Sequence, residues 1–183
     1  MSYKWNTRTE LLLGAERMEY LSHCHVLVVG LGGVGAYAAE QICRAGIGHM
    51  TIVDADTVND SNINRQLPAL HSTLGMQKAE VVGQRLLDIN PRLKLTILNE
   101  FLRDERTEEV LSAQKYDFIV DAIDSLSPKA YLLYHAYRRE IPIVSSMGAG
   151  AKIDPSQVKI ADISKTCNCA LAKAVRKRLR GMG

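Results

Sequence analysis

Apolar and polar positions change period repeatedly along the chain. Short runs rich in Val, Ile and Leu stand at 25–30, 49–54, 93–99, 117–123 and 141–147, and each reads as a buried strand. Between and around them lie stretches with apolar residues at helical spacing, near 34–46, 75–89, 104–114 and 127–140. Asn90-Pro91 ends the second of these, because proline disfavours a helical residue before it. Alternation of continuous apolar strands with helices predicts an α/β fold: a Rossmann-like, doubly wound, mainly parallel sheet with helices on both faces. Residues 7–22 read as one or two helices outside that sheet. Beyond Gly148-Ala149-Gly150 the pattern changes. Val158-Lys159-Ile160-Ala161-Asp162 alternates like an added strand, and 170–180 reads as a basic helix. The expected organisation is an N-terminal helical segment (1–24), a sheet domain (25–150) and a C-terminal extension (151–183). The basic helix runs into Gly181-Met182-Gly183 with no further element to pack against, which suggests an incomplete extension.

Composition narrows the class. The chain has 183 residues, 46% hydrophobic, enough for one domain with a full core. No apolar run approaches the roughly twenty residues of a membrane span, and the N-terminus lacks a signal-peptide pattern. A soluble, cytoplasmic protein without membrane partners is expected. None of the four cysteines, Cys24, Cys43, Cys167 and Cys169, stands in a C-x-x-C pair, so zinc knuckles of that kind are excluded. Cys167-Asn168-Cys169 reads either as two ordinary loop cysteines or as part of a soft-metal or redox site. Charge is divided unevenly: residues 1–128 hold 12 Lys/Arg against 17 Asp/Glu, whereas 129–183 hold 11 against 3. The basic end suggests a polyanion, with a solvated helix end as the alternative.

The first strand runs straight into glycines: Val26-Leu27-Val28-Val29-Gly30-Leu31-Gly32-Gly33-Val34-Gly35. Gly30 allows a tight turn, Gly32 lets a phosphate approach the main chain, and Gly35 lets the next helix pack close. That helix directs its positive end at the anion. Nineteen residues past Gly35, Asp54 ends the second strand, where a carboxylate can accept hydrogen bonds from a ribose. An adenine nucleotide is implied. A lone turn of this kind most often binds a redox dinucleotide.

The residues beyond Asp54 change that picture. Asp54-Ala55-Asp56 leads into Ser61-Asn62-Ile63-Asn64-Arg65-Gln66, and Lys78 comes thirteen residues after Arg65. A dinucleotide has no need of these cations, whereas the β and γ groups of a triphosphate do. Arg65 can grip phosphate oxygens bidentately and Lys78 adds a point charge, with Asn62 and Asn64 as further polar contacts. The alternative is that Arg65 and Lys78 are surface residues. At the end of the fourth strand, Asp124 with Ser125 occupies the carboxyl edge, where a carboxylate can hold Mg²⁺ against phosphates. Asp121, three residues earlier, reads as a brace for the backbone.

Together these pieces resemble the E1-like adenylating family (the ThiF/MoeB type), which activates carboxylates as acyl-adenylates. The matching residues are the 30–35 turn with Gly30, Gly32, Gly33 and Gly35, then Asp54, Asp56, the 61–66 box, Lys78 and Asp124. The resemblance implies ATP and Mg²⁺ as cofactors, ribose binding at Asp54, phosphate binding at Arg65 and Lys78, and metal at Asp124. It also implies a homodimer in which Arg8 reaches the partner subunit's site. Within the family the chain is most similar to the branch that dehydrates threonylcarbamoyladenosine in tRNA. Arg8-Thr9-Glu10-Leu11-Leu12-Leu13-Gly14, Gly148-Ala149-Gly150 and the 154–166 run carry this likeness. One departure stands at Cys167-Asn168-Cys169-Ala170, where that branch has Asp-Pro before the last helix.

This likeness implies that ATP activates a threonyl carboxylate and that a tethered nitrogen then displaces AMP, with no protein nucleophile. It makes tRNA the partner of the basic stretch, through Lys173, Arg176, Lys177 and Arg178, and allows a sulfur-relay protein as a further partner. Two alternatives stay open. One is adenylation of the C-terminal glycine of a ubiquitin-like sulfur carrier. The other is an NAD-dependent oxidoreductase or a non-catalytic nucleotide-binding module.

Overall fold

The computed structural model describes residues 4–183. Five strands, β1 (His25–Val29), β2 (His49–Val53), β3 (Lys94–Leu98), β4 (Phe118–Asp121) and β5 (Ile143–Ser145), form one all-parallel sheet ordered β3-β2-β1-β4-β5. The order reverses between β1 and β4. That leaves a crevice outside their carboxyl ends, where open sheets of this kind bind ligands.

Alternate residues of β1 feed two cores, as a pleated strand must. Val26 and Val28 join Met50, Ile52 and Val120 on one face, beneath α3 (Gly35–Arg44) and α4 (Lys78–Ile89). Ala36, Ala39, Cys43, Ala79, Val82 and Leu86 are the side chains those helices bury there. Leu27 and Val29 join Val53 and Ile119 on the other face. That face is covered by α5 (Asp104–Ala113) and α6 (Leu126–Arg138) through Val110, Leu111, Leu132 and Ala136. Both faces of the central strands are covered, which explains why those strands read as continuous apolar runs.

On the first face a charged clamp joins the two helices. Glu40 of α3 accepts from Arg44 at 2.8 Å and from Arg85 of α4 at 2.5 Å, and its side chain is nearly buried. Hydrogen bonds from Arg85 hold its carboxyl below the usual carboxylate range against the opposing effect of burial, with Arg44 adding to the pull.

The N-terminal segment forms α1 (Thr7–Leu13) and α2 (Ala15–His23), which pack on one another outside the sheet. Leu21 O accepts from Gly48 N–H at 3.0 Å, so α2 abuts the amino edge, opposite the crevice. The last helix, α7 (Ala170–Arg180), packs on α6.

The expected strand at 158–162 does not form. Val158 and Ile160 are 80% and 98% exposed and pair with nothing in the sheet. Instead Asp154 and Asp162 each accept a bond from the backbone N–H two residues on, at Ser156 and Ser164, opening short 3₁₀ turns. Local side-chain bonds of this kind offer the backbone an alternative to a ladder.

Candidate nucleotide site

Gly30 leaves β1 at φ +88°, in the left-handed region, and a Cβ there would lie 2.7 Å from Ala122 O. A Cβ on Gly35 would lie 1.7 Å from Gly30 O. Only hydrogen fits at either place, so the N-terminus of α3 sits directly on the end of β1. The β4 exit at Ala122 presses against the same turn, which brings the glycines and the 122–125 loop to one crevice.

Asp54, at the end of β2, accepts from Leu31 N–H at 2.6 Å and from Asp56 N–H at 2.8 Å. It thereby braces the glycine turn, and each oxygen retains a lone pair for a ribose hydroxyl. Burial raises its carboxyl above the ordinary value, opposed by those two N–H groups and by Lys78.

Lys78 is the first residue of α4 and is 5% exposed. An ammonium at the positive end of a helix is unfavourable, and here Asp56 offsets it: Nζ donates to Oδ2 at 2.8 Å. The backbone of Lys78 also donates to Asp56 O at 2.9 Å.

Arg65 lies beside the glycine turn. A Cβ on Gly33 would stand 3.6 Å from Arg65 Cγ, so the side-chain stem runs over that residue. The guanidinium folds back onto its own turn, donating to Ser61 O and to Asn64 Oδ1 at 2.9 Å each. Asn64 therefore supports Arg65. Asn62 is buried and turned inward, its Oδ1 accepting from Asn59 N–H at 3.2 Å as part of a capping box. Gln66 follows. Its Oε1 is buried with no donor among the described residues, and its amide lies 3.5 Å from where a Gly32 Cβ would be.

Asp124 and Ser125 are exposed in the loop between β4 and α6, and the Asp124 carboxylate has no partner among the described residues. No cluster of three or more His, Cys, Asp or Glu that could hold a metal ion stands among the described residues. A free carboxylate at a phosphate-binding edge fits Mg²⁺, which takes one or two carboxylates and completes its shell with water and phosphate oxygens.

Sequence reasoning missed Lys129, a fully buried lysine on α6 whose Nζ lies 2.7 Å from Asp121 Oδ2. Its only signal was a carboxylate closing a strand that otherwise reads as core. Asp121 braces backbone as expected, accepting from Ile123 N–H at 3.0 Å.

Arg8 stands exposed on α1 and is not brought to the crevice of its own chain. On α7, Lys173, Lys177 and Arg180 are exposed and share one face at spacings of four and three. Arg176 is committed elsewhere, donating to Thr166 O at 2.9 Å and to its hydroxyl. Arg178 reaches Tyr131 of α6, its Nη2 3.3 Å from the phenol oxygen. A cavity of about 500 Å³ lies between α6 and α7, lined by Leu126, Ala174, Lys177, Arg178, Gly181 and Met182. Cys169 caps α7, accepting from Ala172 N–H at 3.4 Å.

The ThiF family model matches residues 3–181. The chain belongs to the ThiF family. Among ThiF relatives, the tRNA threonylcarbamoyladenosine dehydratase of Escherichia coli is 39% identical over 98% of this chain and 68% of its own length. The Bacillus subtilis protein of the same name is 42% identical over 97% of this chain and 69% of its own length. The crystal structure of the E. coli dehydratase in complex with ATP superposes with a TM-score of 0.93, covering 96% of this chain and 72% of that one. A relative of another name, the molybdopterin-synthase adenylyltransferase of Salmonella typhimurium, is 33% identical over 76% of this chain and 54% of its own length. Among the described residues no helix is long and apolar enough to cross a membrane.

Proposed function

We propose that this protein is an ATP-dependent adenylating enzyme that dehydrates threonylcarbamoyladenosine next to the anticodon of tRNA. A carboxylate oxygen of the threonyl group attacks the α-phosphorus of ATP, and the bond to pyrophosphate breaks. The carbamoyl nitrogen then attacks the activated carbonyl carbon, the bond to AMP breaks, and the nitrogen's proton passes to solvent. The oxygen lost from the substrate leaves in AMP, so the net change is loss of one water. Because the nitrogen is tethered, its effective concentration is high and no protein nucleophile is needed.

The carrying observation is a pair of cations beyond the ribose carboxylate: Lys78 at the head of α4 and Arg65 over the glycine turn. They meet the charge of a triphosphate, and the turn's amides add to it. Asp124 would hold Mg²⁺, which supplies charge neutralisation across the phosphates. The E. coli dehydratase, bound to ATP in a crystal of the same fold, supports the choice of nucleotide.

For tRNA, the support is the α7 stripe of Lys173, Lys177 and Arg180, with Arg178 beside it and the α6–α7 cavity at its foot. A homodimer is part of the same reading. Leu11 and Leu12, three and four residues from Arg8 on α1, and Tyr20 of α2 stand exposed at 76%, 81% and 67%, and a second copy would cover them. A cytoplasmic location is part of the same reading.

The test is mass spectrometry of tRNA nucleosides after incubation with protein, ATP and Mg²⁺. The expected result is a threonylcarbamoyladenosine lighter by one water. Unchanged nucleosides, together with a labelled adenylate on a Gly-Gly-ended carrier protein, would transfer the activity to the sulfur-carrier class.

A further inference from the structure

Asp121 and Lys129 enclose the segment that carries Asp124. Both are wholly buried, and their side chains meet at 2.7 Å. The oxygen that Lys129 holds also accepts from Ser145 Oγ of β5, at 2.5 Å. The other carboxylate oxygen takes the Ile123 N–H at 3.0 Å, and Asp121 O accepts Ser146 N–H at 2.8 Å. One carboxylate thus ties together the end of β4, the loop after it, the first turns of α6 and the neighbouring strand. Two charges withdrawn from water are costly, and an apolar pair of the same shape often packs as well. Stability alone is therefore a poor reason for an ammonium at this place.

We propose that Lys129 is a positioning residue: through Asp121 it fixes the 122–125 loop and so sets where the Asp124 carboxylate stands for a nucleotide-bound divalent cation. The inference rests on the assignment of Asp124 to Mg²⁺. Lys129 is wholly buried and so out of reach of nucleotide and substrate. It acts at one remove from the proposed metal ligand, through the backbone that carries Asp124, and groups outside the ligand set commonly govern affinity for the ion.

Binding rather than turnover tests it. ATP binding is followed by calorimetry while Mg²⁺ is varied, in the wild type, Lys129→Met, Asp121→Asn, the double variant Asp121→Asn with Lys129→Met, and Asp124→Ala. The single variants each strand a buried polar group and can fail to fold. The double variant removes both charges and keeps the volume, and circular dichroism verifies that it is folded. The expected result is a folded double variant that needs about tenfold more Mg²⁺ for half-maximal ATP binding. Its affinity for ATP without Mg²⁺ should stay close to that of the wild type. A wild-type magnesium midpoint in the folded double variant, with Asp124→Ala shifted, overturns the role of Lys129 alone. A wild-type midpoint in Asp124→Ala overturns the assignment of Asp124 and this inference with it.

Discussion

Lys78 meets Asp56 twice, its backbone N–H on the carbonyl at 2.9 Å and its ammonium on the carboxylate at 2.8 Å. The lysine side chain is 6% exposed and the carboxylate 54%, so the pair faces the crevice from the acid's side. An incoming phosphate would compete for a cation that is already aimed and largely stripped of water. Lys78→Ala should therefore lower ATP-dependent turnover by about 100-fold or more. Arg65→Ala should do likewise, and both variants should melt close to the wild type. ATP–pyrophosphate exchange with substrate tRNA measures this, and near-normal rates in both would remove the mechanism.

On α7 the cations are not equivalent. Replacing Lys173, Lys177 and Arg180 together with Ala should weaken tRNA binding and flatten the logarithmic salt slope by about two. Arg176→Ala should leave that slope alone and instead lower the melting temperature, because its guanidinium holds Thr166. Filter binding across a salt series separates the two effects. A slope moved equally by Arg176→Ala would make it an RNA contact.

Cys169 does the work of an N-cap with a weak acceptor. Asp is among the best residues there, and Pro suits the next position. Cys169→Asp with Ala170→Pro should stabilise the α7 end by about 1 kcal/mol. Thermal unfolding measures it, and a fall would mean that the 148–152 loop, against which the sulfur packs, does not accept a carboxylate. Burial alone would raise the Cys169 thiol, yet the N–H of Ala172, contacts at Gly148 and Leu171, and the charge of Lys152 bring it below its ordinary value. Cys43, by contrast, is pushed up to about 11 by burial. Alkylation at neutral pH should mark Cys169 well before Cys43, as peptide mass mapping would reveal.

At the amino edge, His25 is buried against Tyr116, with ring centroids 4.6 Å apart, and its Nε2 lies 2.9 Å from Thr51 Oγ1. Burial and the neighbouring His49 lower its pKa from 6.5, outweighing Asp117 and the carbonyl of Lys115. The unfolded chain thus takes up this proton more readily. The contribution is fully present above pH 6.5 and is lost as pH falls through the lower folded value. Denaturant midpoints at pH 8 and pH 5.5 should differ in that direction, and His25→Asn should narrow the gap.

Much of this was legible before folding. Gly30 and Gly35 announce their roles because only one geometry lets a strand end and a helix start within six residues. The order of Asp54, Arg65, Lys78 and Asp124 places the first three in the connection from β2 to α4 and the last just after β4, at one sheet edge. Other features were hidden for physical reasons. Lys129 does not stand out in the sequence, since a carboxylate closing an apolar strand does not say which cation will meet it. The alternation at 158–162 mimicked a strand, but Asp154 and Asp162 capture the backbone locally before any partner strand can. The basic run of α7 is uniform as letters; Arg176 lies three residues from Lys173 and four from Arg180 on the same side of the helix, and its bonds to Thr166 are what set it apart.

The seam where Gly30, Gly35 and Ala122 meet has no room for a single methyl group. Any side chain at Gly30 or Gly35 would force the strand and the helix apart. The stretch around Ile153 and Ile160, each 98% exposed, carries no such packing restriction within this chain. A change of substrate should therefore leave this junction of strand and helix as it is.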